Sequence, residues 1–168
     1  MSYLKLLQHD EAEEQFGVSC ESVETITAEI TRFCHELAQI MYNNGGIGIA
    51  APQVGVNKRI IVIDCSENKN ETVYLINPEI LWQSPQNSQK PEGCLTYPGL
   101  TIPISRPQRI KVSALDLDGK RIEFEASGVY ARCIYHEVDH LDGIPFTHRC
   151  SRQVRRHLMR KWIKNGIE

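Results

Sequence analysis

Apolar residues recur every three or four positions between 25 and 41, where Ile26, Ile30, Phe33, Leu37, Ile40 and Met41 share one face of a helix. Asn43, Asn44, Gly45 and Gly46 end it. The pattern then changes. RIIVID at 59–64 is a β-branched run of strand character, and VYLINPEIL at 73–81 is a second strand that Pro78 should bend or place at a sheet edge. Pro91, Pro98, Pro103 and Pro107 punctuate the next stretch, which is expected to be extended and looped around EGCLTYPG. RIKVSALDL at 109–117 and RIEFEA at 121–126 alternate on either side of Asp118-Gly119, a two-residue turn signal, and read as a hairpin. Ser127 is placed to cap a helix that runs to about Asp142 and stops at Gly143, and a last helix is expected over 151–165, before Gly166. Strands and helices are segregated rather than alternating. The expected fold is therefore α+β, a single domain over 1–168 with short antiparallel strands around the helix at 127–142, an N-terminal amphipathic helix and a C-terminal helix.

With 168 residues, 41% hydrophobic and 24% charged, the chain is long enough to bury one core without disulfides. No apolar run approaches the roughly 18 residues a bilayer span needs, and 1–14 has no apolar stretch between a basic head and a cleavage site. A soluble, cytoplasmic protein is the expectation, with no membrane partner. The six cysteines, at 20, 34, 65, 94, 133 and 150, lack CxxC spacing and read as reduced thiols. Cys20, Cys34, Cys65 and Cys150 are expected to be small buried hydrophobes. The net charge of −2 conceals an asymmetry: 149–168 carries seven basic residues and one acid, and the preceding 148 residues carry 12 basic and 20 acidic ones.

The sharpest chemical signal is His136-Glu137-Val138-Asp139-His140, an HExxH. On a helix the two imidazoles lie one turn apart on one face and can hold a single metal ion, while the adjacent glutamate can act on water there. Val129 and Cys133 continue that face. A third ligand is needed. The pattern HExxHxxGxxH fails because position 146 is Phe, and no acidic residue occurs between Gly143 and Ile167 to serve from a following helix. Cys133 would have to share one helix with both histidines, whereas Cys94, in a stiff segment between Pro91 and Pro98, can arrive from elsewhere and is preferred. Upstream, GIGIAAPQ at 46–53 contains GxGxxA, but it follows a helix and leads into a strand, the reverse of a dinucleotide site. Its small residues can instead admit a substrate backbone, with Gln53 offering an amide donor.

In this order, GIGIAAPQ, EGCLT and HEVDHLDG resemble the three signature motifs of the peptide deformylase family, GxGxAAxQ, EGCLS and QHExDHLxG. The likeness extends over nearly the whole chain. It implies that Cys94, His136 and His140 hold the metal, Glu137 is the general acid/base, Gln53 and the Leu95 N–H steady an oxyanion, and Gly48 binds the substrate main chain. It further implies removal of the formyl group from the N-terminal formylmethionine of new polypeptides, with ferrous iron that zinc or nickel can replace. Partners would be N-formylmethionyl nascent peptides and, through the basic last helix, ribosomal RNA, with no DNA. Two positions depart from the pattern, Thr96 for Ser and Tyr135 for Gln. The competing readings are an HExxH metallopeptidase and an inactive binding module of the same fold.

Overall fold

The computed structural model describes residues 4–12 and 15–166, so the ends of the expected 1–168 domain lie outside the described residues. A short helix α1, His9–Ala12, precedes α2, Ala28–Asn43. Thr27 caps α2, its hydroxyl accepting from the Ile30 N–H at 3.3 Å. The strands follow as β1 Gly48–Ala50, β2 Ile60–Ile63, β3 Val73–Gln83, β4 Asn87–Cys94, β5 Tyr97–Pro107, β6 Arg109–Leu115 and β7 Arg121–Ser127. Helix α3, Gly128–Leu141, and helix α4, Arg152–Lys164, complete the order, with 3-10 turns at Ala51–Val54 and Phe146–Arg149. All pairings are antiparallel: one sheet runs β1-β2-β3-β6-β7, and β4 pairs β5 in a second. This is the expected α+β architecture.

RIIVID shows why the sheet is sandwiched. Alternate residues of a strand face opposite sides, and here both sides are apolar. Ile60 and Val62 join Cys34, Leu37, Ala38 and Met41 of α2, while Ile61 and Ile63 join Ala131, Ile134, Val138 and Leu141 of α3. The HExxH helix therefore lies between the large sheet and the β4–β5 hairpin. A third cluster, with Tyr97, Leu100, Ile102 and Ile104 of β5, Phe16, Phe146 and Trp162, closes the hairpin's inner face.

Three expectations need correction. The proline-punctuated stretch is not looped but forms the two long strands β4 and β5, in which Pro91 stands opposite Pro103 and Asn87 opposite Pro107. Each strand of a two-stranded sheet keeps a free edge, so a residue without an N–H is tolerated there. Ser127 occupies the position before α3, but its side chain makes no capping hydrogen bond. Finally, Val154, Leu158 and Trp162 recur at i, i+4 and i+8 of the last helix, a stripe expected to pack on the body or a partner, but Val154 is exposed and only Leu158 and Trp162 reach the core. Pro78 does bend its strand: β3 is interior, and its register with β6 shifts between Ile76 and Glu79. Asn77 there has φ 51°, and its side chain holds Val23 by two hydrogen bonds, at 2.8 and 2.9 Å. No described helix is long and apolar enough to cross a membrane.

Candidate active site

Three segments meet over the face of α3. The β4–β5 hairpin turns at Leu95-Thr96, after a register shift between Glu92 and Cys94, and presents Cys94 to the two histidines. The ligand atoms of Cys94, His136 and His140 all lie within 4.8 Å of one another, with Cys94 Sγ 3.4 Å from His140 Nε2. One thiolate and two imidazoles suit zinc or a divalent transition metal such as iron.

The surroundings fit a cation. The Glu92 carboxylate can only accept, so His136 donates from Nδ1 to Glu92 Oε2 at 3.0 Å and is left with Nε2 for the site. His140 Nδ1 and Glu137 Oε2 are buried polar atoms without a hydrogen-bond partner among the described residues. Burial opposes charge on His136, yet hydrogen bonds with Cys94 and Glu92 prevail and push its pKa up to about 10. The same acceptors that favour a proton on His136 would favour a cation in its place. His140 moves the other way, lowered first by burial and then by the charge on His136, and is neutral as a ligand must be. Burial raises Glu137 to about 7, with the nearby His136 opposing and Glu92 adding to the rise.

The third segment begins at β1. Gln53, in the 3-10 turn after it, is almost wholly buried; its Oε1 accepts from the Ala50 N–H at 2.9 Å. That bond fixes the amide, so Nε2 points at Thr96 Oγ1, 3.3 Å, and Cys94 Sγ, 3.5 Å. Thr96 is fully buried and accepts this bond, so the threonine serves where serine was the pattern. Gly48 lies against α3 so closely that a Cβ there would come within 2.5 Å of Cys133 Sγ and 2.7 Å of Glu137 Oε1. No larger residue fits. Cys133 donates to the Ile47 carbonyl at 3.4 Å and stands outside the metal-capable group. Gly48, Gln53, Cys94, Cys133, His136 and Glu137 line a pocket of about 960 Å³, which also includes Ile47, Leu95, Pro98, Leu100 and Val129.

Glu92 lies inside the EGCLT motif, but nothing in the sequence assigns it a role. Glu92 receives Arg106 Nε and Nη2 at 2.8 and 2.9 Å and Arg132 Nη1 at 2.7 Å, while Arg106 also reaches Asp139, which Arg149 holds in turn. The available signal was β5 itself, where Arg106 continues the inward-facing series Ile102, Ile104. Tyr135 spans two of these arginines, with Arg106 Cζ 5.2 Å and Arg149 Cζ 5.7 Å from its ring centroid, and its hydroxyl donates to Gln83 Oε1 at 3.0 Å.

The chain as a whole is similar to known proteins. The pattern of the family described as Polypeptide deformylase matches residues 5–156. The peptide deformylase of Hydrogenovibrio crunogenus is 42% identical over 149 residues, covering 89% of this chain and 88% of its own. Among solved structures, a peptide deformylase from Legionella pneumophila superposes with a TM-score of 0.89 at 33% identity, covering 98% of this chain and 95% of that one. Another, from Synechococcus elongatus in complex with actinonin, gives 0.88 at 36% identity, covering 94% and 86%. Sequence match and superposition both run nearly from end to end and include all three motif segments around the pocket, and the chain belongs to the peptide deformylase family.

Proposed function

We propose that this chain hydrolyses the formyl amide on the N-terminal methionine of newly made polypeptides, releasing formate and a free amino terminus. The observation that supports this best is the meeting of Cys94, His136 and His140 beside a pocket whose lining includes Cys94, His136, Glu137 and the fixed Gln53 amide. Ferrous iron, replaceable by zinc or nickel, is the proposed ion, supplying a Lewis acid that makes water acidic near neutral pH. Glu137, held near 7, takes the proton from the attacking water and delivers it to the leaving amine. Gln53 Nε2 and the Leu95 N–H donate to the oxygen that gains charge, each worth about 2.7–4 kcal/mol in comparable sites. Gly48 lets β1 lie close against Cys133 and Glu137 of α3, its main chain is the proposed partner of the substrate main chain, and Ile47, Leu95 and Val129 offer an apolar bed for the methionine side chain.

The assay is formate release from N-formylmethionyl peptide beside the same peptide unformylated. Release from the first with no bond cleavage in the second is expected; cleavage inside the unformylated peptide would instead indicate a peptidase. Actinonin, bound by the Synechococcus relative, is the probe for the pocket and should compete with the formyl peptide. The cytoplasm is the proposed compartment, and ribosomal RNA the proposed docking surface for α4, whose Arg152, Arg156 and Arg160 are exposed.

A further inference from the structure

Two thiols that this reaction does not use lie together behind the pocket. Cys65 directly follows Asp64 at the end of β2, and Cys133 stands on α3 one turn before Glu137. A single carbonyl brings the two segments together: Ile47 O accepts from the Asp64 N–H at 2.9 Å and from the Cys133 thiol at 3.4 Å. Cys65 packs against the core cluster that contains Cys133, so the two thiols share one wall of the core. Their chemistry is unequal. Cys65 is half-buried, and the hydrogen bond from Cys133, helped by the charge of Lys69, outweighs burial and holds its pKa below the usual thiol value. Cys133 is enclosed; the same bond and its burial keep it a thiol. A half-buried sulfur that solvent can reach, beside an enclosed one, is the arrangement of an attacking and a resolving cysteine.

We propose that Cys65 and Cys133 form a reversible disulfide on exposure to a hydroperoxide, fastening the end of β2 to α3 beside Gly48. Cys65 sulfur attacks the terminal peroxide oxygen, the O–O bond breaks, and the departing alkoxide or hydroxide takes up a proton and leaves as alcohol or water. The sulfur is now a sulfenic acid. Cys133 sulfur displaces its oxygen, which leaves as water with the thiol proton, and the S–S bond forms. Two electrons have passed from the two thiols to the peroxide, and a dithiol returns them by exchange. In the reduced form Cys133 Sγ occupies the wall against Gly48; a bond to Cys65 draws it off that wall.

The test uses the full chain loaded with zinc, which is redox-inert, and a slight excess of hydrogen peroxide. After alkylation of the remaining thiols, digestion without reductant should yield one crosslinked peptide pair joining Cys65 to Cys133. The thiol count under denaturing conditions should fall from six to four and return to six with dithiothreitol. C65S and C133S, each checked for folding by circular dichroism, should each give no crosslink. The proposal is overturned if Cys94 oxidises while the Cys65 and Cys133 peptides remain reduced, or if C65S still loses two thiols reversibly.

Discussion

Glu137 combines an unpartnered buried oxygen with a pKa raised to about 7, and both follow from enclosure between α3 and Gly48. As the proton acceptor it must be ionised, so kcat/KM should fall as pH drops through its folded pKa, which a bound cation moves below the metal-free value. Glu137→Gln keeps the shape and loses the relay: metal content should be unchanged and formate release should drop about 10²–10⁴-fold. A variant retaining a tenth of the activity would refute that role. Cys94→Ser should lose metal on dialysis while Cys133→Ser keeps it, since only Cys94 lies with both histidines; metal analysis of the two proteins decides. At this scale HExxH, Cys94, Gln53 and Gly48 were all visible in the sequence, because each belongs to a short motif whose chemistry is local. Glu92 was not. Its work depends on the hairpin carrying it to His136, 44 positions away, and no spacing within the motif reveals that pairing.

Among the elements, the β4–β5 hairpin was the one misread. Its prolines looked like loop punctuation, but the register sets Pro91 against Pro103, so two of the missing donors share one rung, and a two-stranded sheet with free edges tolerates the others. The helices and the β6–β7 hairpin were legible because period and turn residues agreed with tertiary burial. What fastens the hairpin to α3 is Arg106, almost wholly buried between Glu92 and Asp139. Its removal leaves two buried carboxylates short of a partner, although Arg132 and Arg149 remain. Arg106→Met should therefore lower unfolding free energy by about 3 kcal/mol, the lower end for a broken buried pair. Denaturant titration measures it, and a change under about 1 kcal/mol would mean that the network carries little stability.

For the molecule as a whole, the same network sets acid sensitivity. Burial works against the Glu92 charge, but hydrogen bonds from Arg106 and His136 prevail and hold its pKa at about 2, against an ordinary 4.5. A depressed carboxylate contributes stability that is complete above 4.5 and lost as pH falls through the folded value, here about 3 kcal/mol over that window. Metal-free protein should show this slope in denaturant midpoints taken from pH 5 to about 2, and Glu92→Gln should flatten it. An equal slope in both proteins would place acid sensitivity elsewhere. Charge also divides the molecule, the basic residues of 149–168 standing against an acidic remainder. Reversing Arg152, Arg156 and Arg160 to Glu should abolish salt-dependent ribosome binding while formate release from a short peptide persists; unchanged binding would exclude docking through α4.

Helix α4 is joined to the pocket wall through Trp162, whose ring also lies 5.7 Å from that of Tyr97. Trp162 donates from its indole to the Pro98 carbonyl at 2.7 Å, packs edge-on against His9 at 4.8 Å, and Pro98 belongs to the pocket wall. The helix therefore acts as a handle whose orientation is shared with the cleft, and any surface that grips its outer face also aims the opening. Were α4 docked in the way proposed, a nascent chain would meet a cleft already pointed at it rather than one found by tumbling.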